Sequence, residues 1–429
     1  MANEFDVIVI GAGFAGLAAA TAAANGGRVL LLAEGLGFIA DLPSTIELYG
    51  YLPPRPGHVV RPWDELAGLM QYRDHPYAKI PARVLEQSLN MFVEAASTMG
   101  LAYEGDQDQN TLLAGPAGVP RPAYLAPYTM APGRVDDLSP ALVVGFDVHK
   151  DFYPEYLVAN LNRFRQISGL GEEWRAAVIH VPGQQARGLN SQELATMMQS
   201  PAFRRHVIAE IRERLHTETR VGFPAIFGLD AQGTRQVYQE LTVGLDRQVF
   251  EIPTLPPSPP GIRLAGEWLR YLQSKGVKVS LGFRVMGVTA ENGRVTGVLV
   301  NTPARASTYR CRSLVLATGG FWGHGLSGLA TGEVKESILG LPVRPVMPPE
   351  AWGEDRVLAP QPFVRFGVAT NAYLQPADEH GNTLYENVFV AGRLLGGYDP
   401  YEEGCGEGVS LASGYYAGSL ALSAGAVGD

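Results

Sequence analysis

Three glycines and a carboxylate near the start of the chain are spaced for chemistry. Residues 5–10 are apolar almost throughout, as buried parallel strands are, and run into Gly11-Ala12-Gly13-Phe14-Ala15-Gly16. Gly11 permits a tight turn, Gly13 lets the backbone approach a diphosphate, and Gly16 lets the following helix pack on the strand. The helix start at Phe14 and Ala15 offers unpaired N–H groups and partial positive charge to phosphates. Glu34 lies 18 residues past Gly16 and, with Gly35, just beyond a second apolar strand at 29–32. A carboxylate there accepts hydrogen bonds from ribose hydroxyls. The chemistry indicated is the holding of a dinucleotide; the plainer alternative is a glycine-rich turn with no ligand.

The elements that would position these groups alternate along the chain. A βαβ unit of about 30 residues opens it, and a helical pattern follows over 72–100 with its body at 82–99. A stretch rich in Pro and Gly, 115–132, marks a boundary. Strand patterns at 141–145, 176–181, 220–223 and 249–252 then alternate with helical ones at 153–167, 191–215 and 234–245. This is a second α/β layer without a glycine fingerprint. A stiff connection, Pro253-Thr254-Leu255-Pro256-Pro257-Ser258-Pro259-Pro260-Gly261, ends it. Beyond lie a helix at 264–275, strands within 277–300 with a hairpin signal at Glu291-Asn292-Gly293, and a buried strand ending at Gly319-Gly320. A strand at 387–392 leads to a glycine-rich loop, 404–408, and a closing helix. The expected fold is α/β: a discontinuous Rossmann-type domain from residues 1–115 and 262–429, with a smaller inserted α/β domain, 116–261.

Composition narrows the function. With 429 residues, 46% hydrophobic and 18% charged, the chain can bury two cores, and disorder is excluded as its main state. A net charge of −9 without a basic cluster argues against nucleic acid as a partner. No apolar run approaches the roughly 18 residues of a spanning helix, and the first strand begins almost at once, so no leader is expected. The two cysteines, Cys311 and Cys405, cannot supply the four thiolates of an ordinary iron–sulfur cluster. No metal ligand set is read from the spacing. Any redox centre is expected to be organic or to lie on another chain.

Later segments resemble two-part flavoproteins and so point to FAD. Ala317-Thr318-Gly319 resembles the strand end that passes the FAD diphosphate in such proteins. Val390-Ala391-Gly392 with Gly404-Cys405-Gly406-Glu407-Gly408-Val409-Ser410 resembles the late strand and the helix whose N-terminus faces the flavin pyrimidine. Reduced flavin carries negative charge near N1 and O2, which free helix N–H groups stabilise. Arg393 stands where those proteins carry Asp, and Val285 is an adenine contact by analogy.

The chain is more specifically similar to the B subunits of anaerobic glycerol-3-phosphate dehydrogenases. The resemblance rests on His75-Pro76-Tyr77, Pro253 to Ser258, Gly261-Ile262-Arg263-Leu264, Ile338-Leu339-Gly340-Leu341, Ala359-Pro360-Gln361-Pro362 with Phe366-Gly367-Val368, and Leu395-Gly396-Gly397-Tyr398-Asp399-Pro400 running into Gly404-Cys405-Gly406. It implies a three-subunit glycerol-3-phosphate:quinone oxidoreductase. In that family the catalytic A subunit holds the FAD that takes hydride, and the B subunit holds a flavin described as FMN. The C subunit holds iron–sulfur clusters at the membrane, so that this chain lies in the cytoplasm against the inner face of the cell membrane. The glycine arrangement is built for a dinucleotide, so FAD is expected here, with FMN the alternative. No His lies between Glu34 and Tyr49, where fumarate-reductase-like chains attach their flavin, so attachment is expected to be noncovalent.

If glycerol 3-phosphate binds on this chain, Arg263 and Arg365 are its candidate phosphate cations and His75 its candidate base. The alternatives are inter-domain ion pairs for the arginines and a helix cap for His75. Cys405, at a predicted helix N-terminus, is expected to have a lowered thiol pKa, or else simply to be a small residue beside the flavin. Three functions stay open: an electron-transferring flavoprotein subunit, a dehydrogenase in its own right, or a flavin-free bridging scaffold.

Overall fold

A computed structural model describes residues 3–426 apart from 56, 107, 172–173, 184–187, 302–305 and 358. In chain order, the strands of its two large sheets are β1 Glu4–Ile10, β2 Val29–Ala33, β3 Ala141–Phe146, β4 Arg175–Ile179, β5 Arg220–Pro224, β6 Gln248–Ile252, β7 Lys278–Leu281, β8 Arg284–Glu291, β9 Arg294–Asn301, β10 Ala306–Leu316 and β11 Val388–Val390. The helices are α1 Phe14–Ala23, α2 Pro62–Leu69, α3 Pro76–Lys79, α4 Ala82–Thr98, α5 Pro154–Ile167, α6 Ser191–Met197, α7 Pro201–Arg212, α8 Ala231–Leu245, α9 Pro259–Ser274, α10 Pro400–Glu403 and α11 Gly406–Ala426.

The larger sheet has the order β7-β2-β1-β10-β9-β8, with β11 beside the C-terminal half of β10. Its core strands β7, β2, β1, β10 and β11 are parallel, and β9 and β8 add an antiparallel edge. The sheet is therefore assembled from both ends of the chain. The hairpin between β8 and β9 turns at Asn292 and Gly293, both at positive φ, as its sequence signal requires. The smaller sheet, β6-β5-β3-β4, is wholly parallel and has its own buried core.

Two of the helix boundaries that differ from expectation do so because of proline. The helical stretch at 191–215 is two helices, α6 and α7, because Pro201 cannot continue a helix but suits the first position of a new one. Helix α9 begins at Pro259, inside the expected stiff connection; Ser258 caps it by accepting from the Gly261 amide at 3.4 Å.

The closing helix is seated by glycines. A Cβ on Gly414 would lie 2.2 Å from the Ala15 carbonyl oxygen, and one on Gly418 would lie 2.3 Å from that of Ala19. Equal steps of four on both helices, in the same direction, mean that α1 and α11 run parallel with their N-termini on the same side. Gly414 lies eight residues into α11, so at 1.5 Å per residue α11 begins about 12 Å beyond the contact level of α1. On its other side α1 meets α9, where Trp268 donates to Thr21 Oγ1 at 2.9 Å and its ring meets Phe14 edge-on.

Candidate cofactor site and cleft

The β1–α1 turn has the geometry its glycines predict. Gly11 has φ +111°, and a Cβ there would meet the Ala317 carbonyl oxygen at 2.1 Å. A Cβ on Gly16 would sit 1.8 Å from the Gly11 carbonyl oxygen, so neither position admits a side chain. Gly13 and Gly35 instead face open space, and the segment after Gly35 folds back until Gly37 approaches the Gly13 Cα. Ala12, Phe14 and Ala15 are buried beneath the turn. Ala317 and Thr318 pass directly under Gly11, and Gly319 continues at positive φ. Glu34 follows β2 and is 3.4 Å from Arg284, which brings Val285 and its strand to the same edge.

The second group gathers where α11 begins. Gly392, at φ +68°, would place a Cβ 2.7 Å from the Ala15 Cβ and 3.8 Å from Ser410 Oγ, so it lies between the starts of α1 and α11. Gly404 caps α10 in the left-handed region, Gly406 starts α11, and Gly408 donates its amide to the Glu47 carbonyl; Val409 is buried in the helix's first turns. Arg393 turns inward: it donates to the Val364 carbonyl at 2.7 Å and lies over the Tyr398 ring.

These features fit a dinucleotide flavin. Two helix N-termini on one side, offset along their axes, suit one ligand with a diphosphate at one point and an electron-rich ring further on. Among the described residues, the buried hydroxyl of Thr318, beside Gly11, has no hydrogen-bond partner, and neither has that of Ser44. Buried polar groups ordinarily have one. Ser44, at φ +69°, is not among the residues that the sequence points to, because nothing local distinguishes it.

The comparisons agree. Residues 6–409 match the FAD binding domain family. The probable B subunit of an anaerobic glycerol-3-phosphate dehydrogenase from Halobacterium salinarum is 30% identical over 99% of both chains. The B subunit of the Pasteurella multocida enzyme is 27% identical, covering 96% of this chain and 97% of the relative, and that of Yersinia pestis 29%, covering 98% of each. This chain belongs to the FAD-binding family of anaerobic glycerol-3-phosphate dehydrogenase B subunits. It is an FAD-binding oxidoreductase chain. Gly11, Gly13, Gly16, Thr318 and Glu34 are the residues that would hold the diphosphate and ribose, and the start of α11 would face the ring. FAD bound there would supply two-electron acceptance with release of electrons one at a time. No helix among the described residues is long and apolar enough to cross a membrane.

Next to the start of α11 lies a cleft of about 1270 Å³ whose walls include Tyr49, His75, Lys79, Arg344, Arg365 and Glu403. Two of the three expected substrate residues meet there, and a residue not expected joins them. His75 is 2% exposed and caps α3: its Nδ1 accepts from the Tyr77 amide at 3.1 Å, so the ring proton is on Nε2, 3.0 Å from Glu403 Oε2. Arg365 Nη1 lies 3.3 Å from Glu403 Oε1. Burial would raise the Glu403 carboxyl, but its hydrogen bond and charge pairing with His75, the Asp399 amide and Arg365 hold it below the usual range.

Arg263 is not a phosphate cation. It is 2% exposed, forms a two-pronged pair with Glu251 at 3.1 and 3.2 Å, and donates twice to the Gly228 carbonyl. Its guanidinium ties α9 to β6. The lowered thiol expected at Cys405 is also reversed. The side chain is fully buried, and burial together with the Glu403 and Glu407 charges pushes the thiol well up, outweighing the helix N-terminus.

Glu407, in the first turn of α11, is pushed up to about 8 by burial and then by the charge of Glu47, which is itself paired with Arg121 at 2.7 Å. Unfolded, this carboxyl titrates at about 4.3. Between those pH values the folded chain binds the extra proton, so the contribution of this group to stability falls as pH rises from about 4.3 to about 8. Across that window Tm of the wild type should fall with rising pH relative to that of Glu407→Gln; a difference between the two that does not change with pH would assign the proton elsewhere.

Proposed function

We propose that this chain is the electron-transferring flavin subunit of a glycerol-3-phosphate:quinone oxidoreductase. Its noncovalent FAD accepts electrons from oxidation of glycerol 3-phosphate on a catalytic, FAD-containing A subunit, and passes them to iron–sulfur clusters on a membrane-associated C subunit. On this reading residues 1–115 and 262–429 form the flavin domain and 116–261 the insert. The chain lies against the inner face of the cell membrane through its partner. The observation that carries the reading is the commitment of the acid–base groups in the cleft. Both ring nitrogens of His75 are engaged, and Glu403 accepts from His75, Arg365 and the Asp399 amide. A substrate base needs an unshared lone pair within reach of the carbinol proton.

A second reading, in which this chain oxidises glycerol 3-phosphate itself, draws support from Lys79, Arg344 and Arg365 in the cleft wall. The two are separated by assay of the full chain loaded with FAD, its flavin content checked after denaturation. With glycerol 3-phosphate and an electron-accepting dye, the chain alone is expected to show no turnover, and addition of the A subunit is expected to start it. Sustained dye reduction by the chain alone would overturn the conduit reading in favour of the second.

A further inference from the structure

Two carboxyls, Glu47 and Glu407, share a single arginine at the start of α11. Arg121 Nη2 meets Glu47 Oε1 at 2.7 Å, and among the described residues no other side chain donates to the Glu407 carboxyl. Three segments assemble the group: the stretch before Gly50, the hairpin strand Pro120–Ala123, and the first turn of α11, whose Gly408 amide donates to the Glu47 carbonyl. Glu47 is 6% exposed, whereas the Arg121 side chain is half-exposed, so the cluster reaches solvent through the arginine. One cation beside two carboxyls leaves the cluster neutral only when one of them holds a proton. Glu47 has the arginine, so the proton falls to Glu407.

The placement of Glu407 on α11 gives that proton a use. Gly406, Glu407 and Ser410 are partly open, whereas Gly408, Val409, Leu411 and Ala412 are buried. Ser410 Oγ stands 3.8 Å from a Cβ built on Gly392, between the starts of α1 and α11, and Glu407 precedes it by three residues on the same side of the helix. This is the helix end that faces the flavin ring.

We propose that Glu407 is the proton partner of the flavin, its carboxyl taking up a proton from solvent when the ring is reduced and returning it when the ring is reoxidised. The inference rests on the FAD seat described above and not on which chain of the complex oxidises glycerol 3-phosphate. Reduction puts negative charge near N1 and O2 of the ring. An ionised Glu407 on the facing helix end is repelled by that charge, so its affinity for a proton rises. In the balanced step an external reductant supplies two electrons and solvent one proton, which bring the ring to its singly charged reduced form. A second solvent proton turns ionised Glu407 into the acid, and both protons and both electrons leave on reoxidation.

The groups facing Glu407 set where this coupling shows. Burial and then Glu47 raise the carboxyl, and its own helix amide and Arg121 oppose them, which leaves it at about 8. Tyr51 lies beside Arg121 and Glu47, and Tyr77 and Cys405 lie beside Glu407. Burial pushes both Tyr77 and Cys405 well up, so neither competes for the proton. Glu407 is therefore ionised in the oxidised chain only above about pH 8.

The test is a spectroelectrochemical titration of the flavin-loaded full chain across that pH. The two-electron potential should fall about twice as steeply with pH above the break as below it, since two protons rather than one then accompany the two electrons. Glu407→Gln should show one slope throughout, with flavin content as the check on folding. Glu47→Gln should move the break to lower pH, because Arg121 then pairs with Glu407. Should the variants fail to fold, redox infrared difference spectra of the native chain decide: reduction above the break should add the C=O band of a protonated carboxylic acid. A single slope in the native chain, a break that persists in Glu407→Gln or stays in place in Glu47→Gln, or absence of that band would overturn the proposal. The slopes are the same whether or not the chain alone reduces a dye with glycerol 3-phosphate.

Discussion

Gly414→Val is expected to cost about 3 kcal/mol, at the upper end for overpacking, and to abolish stable FAD binding. The added carbons would occupy the volume of the Ala15 carbonyl, whose oxygen, carbon and Cα all lie within 2.9 Å of the new Cβ. Backbone cannot rotate away as a side chain can, so α1 and α11 must separate. Both helix starts then move with respect to each other, and the two halves of the ligand lose their common frame. Chemical denaturation of purified G414V and its flavin-to-protein ratio give the two readings. Leu420→Val is the control, a partly buried position on α11 where the change is small. Retention of wild-type flavin content by G414V would mean that α11 does not seat the cofactor.

Much of this arrangement is legible in the sequence because it is local. The strand–turn–helix of 5–23 carries its signal in consecutive residues, as do the Asn292-Gly293 hairpin and the apolar strands of both sheets. The parallel seat of α11 on α1 is not legible, since it joins residues nearly 400 apart through small side chains that carry no chemistry of their own. The fate of the candidate site residues follows the same division. His75 and Arg365 stand out separately in the sequence, but the carboxylate that binds them, Glu403, directly precedes the Gly404-Cys405-Gly406 motif and has nothing local to mark it as buried. The nature of Cys405 turns on burial. A helix start alone lowers a thiol, and only the fold reveals that the side chain has no solvent and has acidic neighbours.

Arg263→Met should destabilise the chain by about 3–5 kcal/mol, the range for removing one partner of a buried ion pair. Glu251 is 2% exposed, and its two oxygens also accept from Thr129 and the Phe227 amide, so loss of the guanidinium leaves a buried carboxylate only partly compensated. The substitution would also release the Gly228 carbonyl, which Arg263 holds with two of its donors. Because Glu251 lies on β6 and Arg263 on α9, the damage falls where the smaller sheet meets the flavin-bearing part. Combining Arg263→Met with Glu251→Leu should recover a large share of the loss, since both charges leave together. A phosphate-binding arginine behaves differently. Its loss would raise KM for glycerol 3-phosphate in the assembled complex while the denaturation midpoint stayed put, and the second substitution would rescue nothing. Urea unfolding of the two variants and the wild type separates these outcomes, and recovery in the double variant is the result that assigns Arg263 to the joint between the sheets.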